Sequence, residues 1–256
     1  MVTGGEATGG GVAGGDTDRR AYLTEHLDAV RSRLLDACRA ADRDPSGVTL
    51  LPVTKFFPAS DVAILRDLGC REFGESREQD AAPKVTALRE APGDDVRWHM
   101  IGHLQRNKAR AVAQWAYAVH SVDSLRLVDA LQRGVDRARE DGVRDTDLEV
   151  YVQVSLDGDT HRGGVDRGEL DAVADAVAQA SGLTLAGLMA VPPLESDPDA
   201  AFADLAGLHQ WLLRSHPSAT GLSAGMTGDL EEAVRHGSTC VRVGTAILGP
   251  RPVTSP

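Results

Sequence analysis

Short apolar runs recur along this 256-residue chain, and they alternate with segments whose apolar residues keep helical spacing. Eight runs are candidate strands: 48–54, 70–73, 97–102, 117–122, 148–155, 184–191, 220–223 and 240–244. Short buried strands that alternate with helices of about ten to fifteen residues are typical of βα units and a parallel sheet. Eight such units predict an α/β protein with a closed (β/α)8 TIM-like barrel. An open, doubly wound sheet is the alternative.

The first residues, 1–17, are rich in glycine and contain neither an apolar core nor a basic start, so they do not resemble a secretory signal. We expect a flexible tail over 1–17 and a single barrel domain over 18–256. A long amphipathic helix is predicted over 18–44, because apolar residues there keep helical spacing at Leu23, Leu27, Val30, Leu34 and Cys38.

Composition limits the class of partner. Hydrophobic residues make up 42% of the chain and charged residues 25%, and no apolar run approaches the length of a membrane span. The formal net charge of −11 would repel a phosphate backbone, which argues against nucleic acid. The three cysteines lie far apart without metal-like spacing, so we interpret them as reduced core residues. We expect a cytoplasmic protein that binds neither a membrane nor nucleic acid.

Lys55 directly follows the first candidate strand, 48–54, and precedes a turn. In a parallel barrel the carboxyl ends of the strands meet at the active-site face, so Lys55 would lie beside a ligand crevice. Partial burial lowers the pKa of an ammonium, and the neutral amine attacks an aldehyde to form a Schiff base. The alternative is a surface lysine that lays its aliphatic stem over apolar neighbours.

Two turns rich in small residues follow the last two strands. The first runs from Ser223 through Gly225, Met226 and Thr227, and the second is Gly244-Thr245-Ala246. Both can direct backbone N–H groups at one anion, and the loops after strands seven and eight of a barrel are the usual phosphate site. The alternative for the first turn is an ordinary helix start with Thr227 as the N-cap.

Charged residues inside a barrel also need partners. Arg242 lies within the last strand, where it either pairs with a strand carboxylate such as Glu72 or faces a ligand heteroatom.

His99 and His103 are four residues apart, but Gly102 separates them and no Glu is placed for a zinc protease motif, so we predict no metal. His103 is the better placed of the two to line a pocket.

Several motifs appear in order between about residues 20 and 251: Val53-Thr54-Lys55, Phe73-Gly74-Glu75, Trp98-His99-Met100-Ile101-Gly102-His103-Leu104-Gln105, His120-Ser121-Val122-Asp123, Gly187-Leu188-Met189, Leu222-Ser223-Ala224-Gly225-Met226 and Val241-Arg242-Val243-Gly244-Thr245-Ala246. With these motifs the chain resembles the pyridoxal phosphate homeostasis proteins. Those proteins are single-domain relatives of the N-terminal barrel of alanine racemase. The resemblance implies a fold type III barrel that binds pyridoxal 5′-phosphate (PLP).

The resemblance also implies roles for particular residues. Lys55 would carry PLP as a Schiff base, and Arg242 would face the pyridine nitrogen. The phosphate would be held by residues of the two turns: Ser223, Gly225, Met226, Thr227, Gly244 and Thr245. Glu75, Ser76 and His103 would complete the pocket, although the family usually has Asn at the position of Ser76. The contact that this amide makes is therefore in doubt.

Arginine beside the ring nitrogen disfavours its protonation, which makes the ring a weaker electron sink. In the racemases a second acid–base tyrosine comes from a C-terminal β domain, and the tyrosines of this chain, Tyr22, Tyr117 and Tyr151, lie outside the matched pocket motifs. We therefore predict a PLP carrier or regulator, with no catalytic residue, that holds PLP without robust turnover of amino acids. Apo forms of PLP-dependent enzymes are the expected recipients, and a monomer is expected, with a dimer as the alternative.

Three other classes remain open at this point: a PLP-dependent racemase or lyase, a phosphosugar-type barrel enzyme that uses Lys55 without PLP, and an adaptor in which PLP is structural. Amino-acid turnover would reveal the first. The absence of a visible chromophore in the purified protein would reveal the second.

Overall fold

The computed structural model describes residues 13–90, 96–193 and 195–251. Its strands are β1 (Thr49–Pro52), β2 (Glu72–Glu75), β3 (Arg97–Met100), β4 (Ala118–Val122), β5 (Leu148–Gln153), β6 (Leu183–Met189), β7 (Gly221–Ser223) and β8 (Cys240–Val243). Its α-helices are α1 (Ala13–Ala40), α2 (Ala59–Asp67), α3 (Glu78–Arg89), α4 (Ala109–Val112), α5 (Leu125–Glu140), α6 (Leu170–Gln179), α7 (Pro198–Ser215), α8 (Leu230–Arg235) and α9 (Thr245–Leu248). Short 3-10 turns occur at Pro45–Gly47, Arg106–Lys108, Thr160–Arg162 and Arg167–Glu169.

The strands form one parallel sheet in the order β1-β8-β7-β6-β5-β4-β3-β2. The two ends of this order meet, because Val53 after β1 bridges Gly74 of β2 and the Thr54 N–H donates to the Gly74 carbonyl at 3.0 Å. The sheet is therefore a closed (β/α)8 barrel, which confirms the predicted fold class. An open, doubly wound sheet does not pair its first strand with its last.

The boundaries of most elements differ from the prediction by one or two residues, and for two elements a local turn explains the difference. Strand β2 lies two residues later than the run 70–73, because Gly69 has φ +91° and the turn extends past it. Helix α1 begins at Ala13 and ends at Ala40, and the chain then turns at Asp42, which has φ +52°. Part of the predicted tail, 13–17, thus belongs to α1, whereas 1–12 lies outside the described residues.

Apolar side chains fill the space between the strands and the surrounding helices. One cluster lies under α4 to α7 and includes Val119, Val150 and Leu222, and a second lies under α1 to α3, α8 and α9 and includes Phe73 and Val241. Neighbouring residues on the same strands point the other way, into the barrel. That interior holds several polar groups, which position the site described below.

Helix α1 packs against the outside of the barrel next to α8 and α9. Leu23, Leu27 and Cys38 on its buried face are almost fully enclosed. Arg33 fixes α1 to α8 through a two-pronged pair with Glu231, with Nε–Oε1 and Nη2–Oε2 distances of 2.5 Å each. Cys38, Cys70 and Cys240 are all buried and unpaired by disulfides.

Within the described residues, no helix has the length and apolar character needed to cross a membrane. The same part of the chain contains no group of three or more His, Cys, Asp or Glu side chains arranged to hold a metal ion.

Candidate functional site

Lys55 lies at the rim of the barrel, directly after β1. The Phe57 N–H donates to the Thr54 carbonyl at 3.1 Å, which closes a four-residue turn with Lys55 and Phe56 at its centre. Phe56 has φ +72°, the conformation that the third position of a type II turn requires and that glycine normally supplies. A phenylalanine there stores roughly 1–3 kcal/mol of strain. The backbone next to Lys55 is therefore held by its surroundings and not by local preference.

Cationic groups surround the ring of Phe56. The Arg251 guanidinium carbon lies 3.9 Å from the ring centroid, that of Arg77 lies 5.7 Å away, and Lys55 Nζ lies 5.9 Å away. Cations over an aromatic face are attracted by its quadrupole. These contacts hold the turn from both sides, since Arg77 precedes α3 and Arg251 follows α9.

The chain contains three lysines, and Lys55 differs from the other two in its partners. Lys84 Nζ lies 2.6 Å from Glu75 Oε1, and Lys108 Nζ lies 3.3 Å from Glu78 Oε2. Lys55 is exposed and has no carboxylate partner among residues 13–90, 96–193 and 195–251. Its amine is thus the one that is available for chemistry.

The turn after β7 is tightly built. Gly225 has φ +91°, and a Cβ there would lie 2.5 Å from the Cβ of Ala233, so a larger residue does not fit. The Met226 N–H donates to Asp229 Oδ1 at 2.5 Å, and Arg33 Nη1 donates to the Thr227 carbonyl at 2.6 Å. The helix N-cap is Asp229 and not Thr227, which corrects that alternative.

The turn after β8 lies beside the end of β1. The Val53 N–H donates to the Val243 carbonyl at 2.9 Å, and a Cβ on Gly244 would lie 3.4 Å from the Val53 carbonyl oxygen. Thr245 begins α9. This close approach brings the second turn, Gly244 and Thr245, to the strand that carries Lys55.

Arg242 is 5% exposed and lies inside the barrel. Its Nη1 donates to Ser223 Oγ at 2.7 Å, and its Nη2 donates to the Ala190 carbonyl at 3.0 Å. Burial lowers the pKa of the guanidinium. The described residues provide no carboxylate partner for Arg242, so the predicted alternative, an ion pair with Glu72, does not form. A guanidinium has five N–H groups, and the two named bonds leave others for a ligand.

Ser223 has a different position from the one expected of a phosphate ligand. Its side chain is fully buried, and its hydroxyl accepts from Arg242 and shares a 2.8 Å hydrogen bond with His120 Nδ1. The hydroxyl is therefore engaged beneath the rim. The structure places Ser223 behind Arg242, and a contact between Ser223 and phosphate stays a prediction.

Glu75 ends β2 and points away from the rim, whereas Ser76 and His103, which follow β2 and β3, line one cavity there. Glu75 points to the helix side of the sheet, where it accepts from Thr54 Oγ1 at 2.5 Å and from Lys84. Burial raises the pKa of its carboxyl. In this structure Glu75 supports Thr54, and a contact between Glu75 and the cofactor stays a prediction.

Ser76 is half-buried at the rim, and its carbonyl lies so close to Gly102 that a Cβ there would be only 2.2 Å away. The side chain of His103 is 69% exposed, and its Nδ1 lies 3.8 Å from Asp123 Oδ2. Both residues border the mouth of the barrel, and their part in binding the cofactor stays a prediction.

The polar interior below Arg242 was only partly predicted from the sequence. His99 Nδ1 and His120 Nε2 share a hydrogen bond at 2.9 Å, and burial lowers the pKa of His120 well below its ordinary value. His120 is a polar residue in the middle of the apolar run 117–122, and this interruption is the one feature of the sequence that indicates a polar group inside the barrel.

The donors at this rim fit a ring that carries a phosphate and an aldehyde. Apart from the Met226 N–H, which donates to Asp229, the two turns offer backbone N–H groups at the rim, and Arg242 has N–H groups left for a ring nitrogen. Lys55 supplies an amine on the same face. The chemistry of this donor set therefore fits PLP.

The chain matches known proteins over most of its length. The family model "Alanine racemase, N-terminal domain" matches residues 26–252. A protein of Mycobacterium tuberculosis (strain ATCC 25618 / H37Rv) named "Pyridoxal phosphate homeostasis protein" is 53% identical over 249 residues, which are 93% of this chain and 96% of that protein. A protein of Escherichia coli (strain K12) with the same name is 36% identical over 234 residues, or 90% of this chain and 97% of that protein.

Solved structures show the same barrel. PipY of Synechococcus elongatus PCC7942, solved with PLP bound, superposes with a TM-score of 0.75 at 33% identity and covers 89% of this chain and 100% of that chain. Alanine racemase from Corynebacterium glutamicum has a TM-score of 0.61 at 17% identity and covers 90% of this chain and 62% of that chain, a likeness of fold alone. Taken with the match over residues 26–252, these similarities show that the chain belongs to the alanine racemase N-terminal domain family and, within it, to the pyridoxal phosphate homeostasis proteins.

Proposed function

We propose that this protein binds PLP at the rim of the barrel, holds it as a Schiff base on Lys55, and serves PLP homeostasis without sustained turnover of amino acids. The observation that carries the proposal is the availability of Lys55. It is the one lysine of three without a carboxylate partner among the described residues, and it lies on the face where Arg242 and the two small-residue turns end.

PLP supplies an aldehyde for covalent attachment and an electron-withdrawing ring. The protein's own groups then have separate tasks. Lys55 presents the amine, the turns at 225–227 and 244–245 bind the phosphate through their N–H groups, and Arg242 donates to the ring nitrogen. Because a permanent cation disfavours a proton on that nitrogen, the ring withdraws electrons weakly, which favours holding PLP over turnover.

The residues near the site offer little help for racemisation. Tyr151 packs on the ring of His120 with centroids 4.2 Å apart, and burial raises the pKa of its phenol, so it stays protonated at neutral pH. Tyr117 donates to Glu149 Oε1 at 2.7 Å. Neither tyrosine serves as a general base. We propose apo PLP-dependent enzymes inside the cell as the recipients of the cofactor.

The attachment is tested by reducing the PLP-loaded protein with borohydride and mapping its peptides by mass. We expect the pyridoxyl group on Lys55, with Lys84 and Lys108 unmodified. Lys55→Ala should lose the visible imine band and bind PLP more weakly, and Lys108→Ala should retain both properties. Modification of Lys84 or Lys108 alone would refute the assignment of Lys55.

Phosphate recognition is tested by comparing PLP with pyridoxal. Hydrogen bonds to an anion contribute on the order of 1.5–3 kcal/mol each, so several of them should separate the two affinities by orders of magnitude. Equal binding of pyridoxal and PLP would contradict the phosphate role of the two turns.

Turnover is tested by incubating the PLP-loaded protein with L-alanine in deuterium oxide and following Cα exchange and D-alanine. We expect neither to reach ordinary enzyme rates, which are on the order of 1 s⁻¹ or faster. Sustained formation of D-alanine at such rates would instead identify a racemase.

A further inference from the structure

A chain of polar side chains crosses the interior of the barrel and ends at Arg242. Glu72 Oε2 lies 3.4 Å from His99 Nε2, His99 Nδ1 lies 2.9 Å from His120 Nε2, and His120 Nδ1 lies 2.8 Å from Ser223 Oγ. Ser223 Oγ in turn accepts from Arg242 Nη1 at 2.7 Å. We call these five residues the polar chain.

The polar chain joins the two ends of the barrel. Glu72 is the first residue of β2, at the end remote from Lys55, and Ser223 is the last residue of β7. His120 belongs to β4, which is not a neighbour of β7, so the bond between His120 and Ser223 must cross the interior. The two histidine rings are packed against tyrosines, His99 against Tyr117 at 5.5 Å and His120 against Tyr151 at 4.2 Å.

The direction of the hydrogen bonds in the polar chain follows from the group at its Glu72 end. An ionised carboxylate only accepts, so His99 Nε2 must carry a proton to face Glu72. In a neutral ring His99 Nδ1 then accepts from His120 Nε2, and His120 Nδ1 accepts from Ser223. A guanidinium only donates, so the Ser223 oxygen keeps a lone pair for Arg242. The Arg242 end accommodates the direction set at Glu72, in which both histidines carry a proton on Nε2.

One contact in the polar chain is longer than the others. The 3.4 Å approach of His99 Nε2 to Glu72 falls within ion-pair distance but lacks the alignment of a hydrogen bond, and no other partner is present for that buried nitrogen in the described parts of the chain. Contact with His99 is nevertheless the main cause of the lowered pKa of the Glu72 carboxyl. Glu72 is therefore the residue through which the direction of the whole chain can be changed.

We propose that Glu72, His99 and His120 are positioning residues that hold Arg242, through Ser223, in one orientation toward the ring nitrogen of bound PLP. This inference rests on the proposed function. Arg242 is anchored at two points, Ser223 Oγ and the Ala190 carbonyl, and the first anchor is itself held by the hydrogen bond between Ser223 and His120. The position of His120 thereby helps to fix the oxygen to which the guanidinium donates.

A charged His99 would reverse the direction of the hydrogen bonds in the polar chain. His99 Nδ1 would then donate to His120 Nε2, His120 Nδ1 would donate to Ser223, and the Ser223 hydrogen would have to leave His120. The two states differ in the protons on both rings. They are therefore distinguished by an experiment that needs no cofactor.

Nitrogen-15 NMR of the PLP-free protein tests the direction of the polar chain. We expect a protonated Nε2 on both rings and an unprotonated Nδ1 on His120. In Glu72→Gln the amide can donate as well as accept, so a second tautomer should appear at both rings. Glu149→Gln is the matched control, because Glu149 binds Tyr117 outside the polar chain and its removal should change neither ring. Unchanged rings in Glu72→Gln would overturn the proposal.

PLP-loaded variants test whether the polar chain positions Arg242. His120→Leu removes the acceptor for Ser223, so we expect a shifted cofactor absorption spectrum and about tenfold or greater loss of PLP affinity, in line with a lost bond to a charged group. His120→Asn places an oxygen near the position of Nδ1 and should restore much of both. A purely structural histidine predicts the opposite order, since Asn is the poorer core residue.

The two proposals fail differently. If wild-type protein does not take up PLP on Lys55, the proposed function is wrong. If wild-type protein takes up PLP, and Glu72→Gln and His120→Leu leave its spectrum and affinity unchanged, the positioning role is wrong while the proposed function stands.

Discussion

The ammonium of Lys84 lies 2.6 Å from Oε1 of Glu75 in a pair that is almost completely enclosed between β2 and α3. The same ammonium donates to the Thr54 carbonyl at 2.7 Å, and Thr54 directly precedes Lys55. Thr54 also donates its hydroxyl to Glu75. The buried pair is therefore a support for the backbone that presents Lys55, although neither partner faces the barrel interior.

Removing Lys84 should strongly destabilise the protein. Lys84→Met leaves the Glu75 carboxyl buried without its cation, which typically costs about 3–5 kcal/mol of unfolding free energy. Lys108→Met is the control, because the side chain of Lys108 is 43% exposed and its pair with Glu78 should contribute less than about 1 kcal/mol. Urea unfolding of both variants measures the difference. Equal losses of unfolding free energy in the two variants would show that burial of the Lys84 pair does not determine the cost of removing its cation.

The pair between Arg33 and Glu231 predicts a dependence of stability on pH. The hydrogen bond from Arg33 holds the pKa of Glu231 below its ordinary value of 4.5, so the folded state favours the ionised carboxylate. This contribution is fully present above pH 4.5 and is lost as the pH falls through the lowered pKa. Glu231→Gln should therefore lower stability at pH 7, and the two proteins should converge in acid.

The size of this effect is limited by exposure, since the two side chains are 36% and 40% exposed. We expect a loss of no more than about 1 kcal/mol at pH 7. Asp36→Asn, in a pair with Arg39 on the open surface of α1, is the control and should show a smaller loss. Urea midpoints at pH 7 and pH 3 provide the measurement. A difference that persisted in acid would contradict the electrostatic explanation.

Two glycines should respond to alanine in opposite directions. A Cβ on Gly102 would lie 2.2 Å from the Ser76 carbonyl oxygen, so Gly102→Ala must displace the loops after β2 and β3 and should lower the melting temperature. Gly207 lies inside α7 with open space around the added atom, and Gly207→Ala should stabilise by about 1 kcal/mol through helix propensity. Thermal unfolding compares them, and a stabilised Gly102→Ala would show that the close approach is not rigid.

Truncation should separate the tail from α1. We expect deletion of 1–12 to leave the melting temperature and PLP content unchanged, because a Gly-rich segment buries too little surface to offset its ordering. Deletion of 1–20 also removes Arg19, whose Nε and Nη2 donate to Asp61 at 3.1 and 2.6 Å, and should destabilise the barrel. A large loss on the shorter deletion would mean that the tail packs on the barrel.

The barrel could be predicted from the sequence because each buried strand is a short apolar run, and that pattern is local. Lys55 and Arg242 could be predicted for the same reason, since a charge next to or within such a run is conspicuous. The hydrogen-bond partners of a side chain, in contrast, often lie far away in the sequence. The contact between His120 and Ser223 depends on the relative register of strands that are not neighbours, and Asp229 rather than Thr227 caps α8 because of the shape of one turn. The contacts of Glu75 with Thr54 and Lys84 likewise depend on side chains that are distant in sequence.

Near Lys55, strand β1 pairs more extensively with one neighbouring strand than with the other. On one side β1 runs in register with β8 from Thr49 to Pro52, but on the other side it meets β2 at the bridge between Val53 and Gly74. Proteins open first where the fewest backbone hydrogen bonds must break, so amide hydrogen exchange at this junction should precede exchange in the ladder with β8. The first segment to open would carry Lys55 with it. How long the protein retains a molecule on Lys55 would then depend on the local stability of this junction more than on the global stability of the barrel.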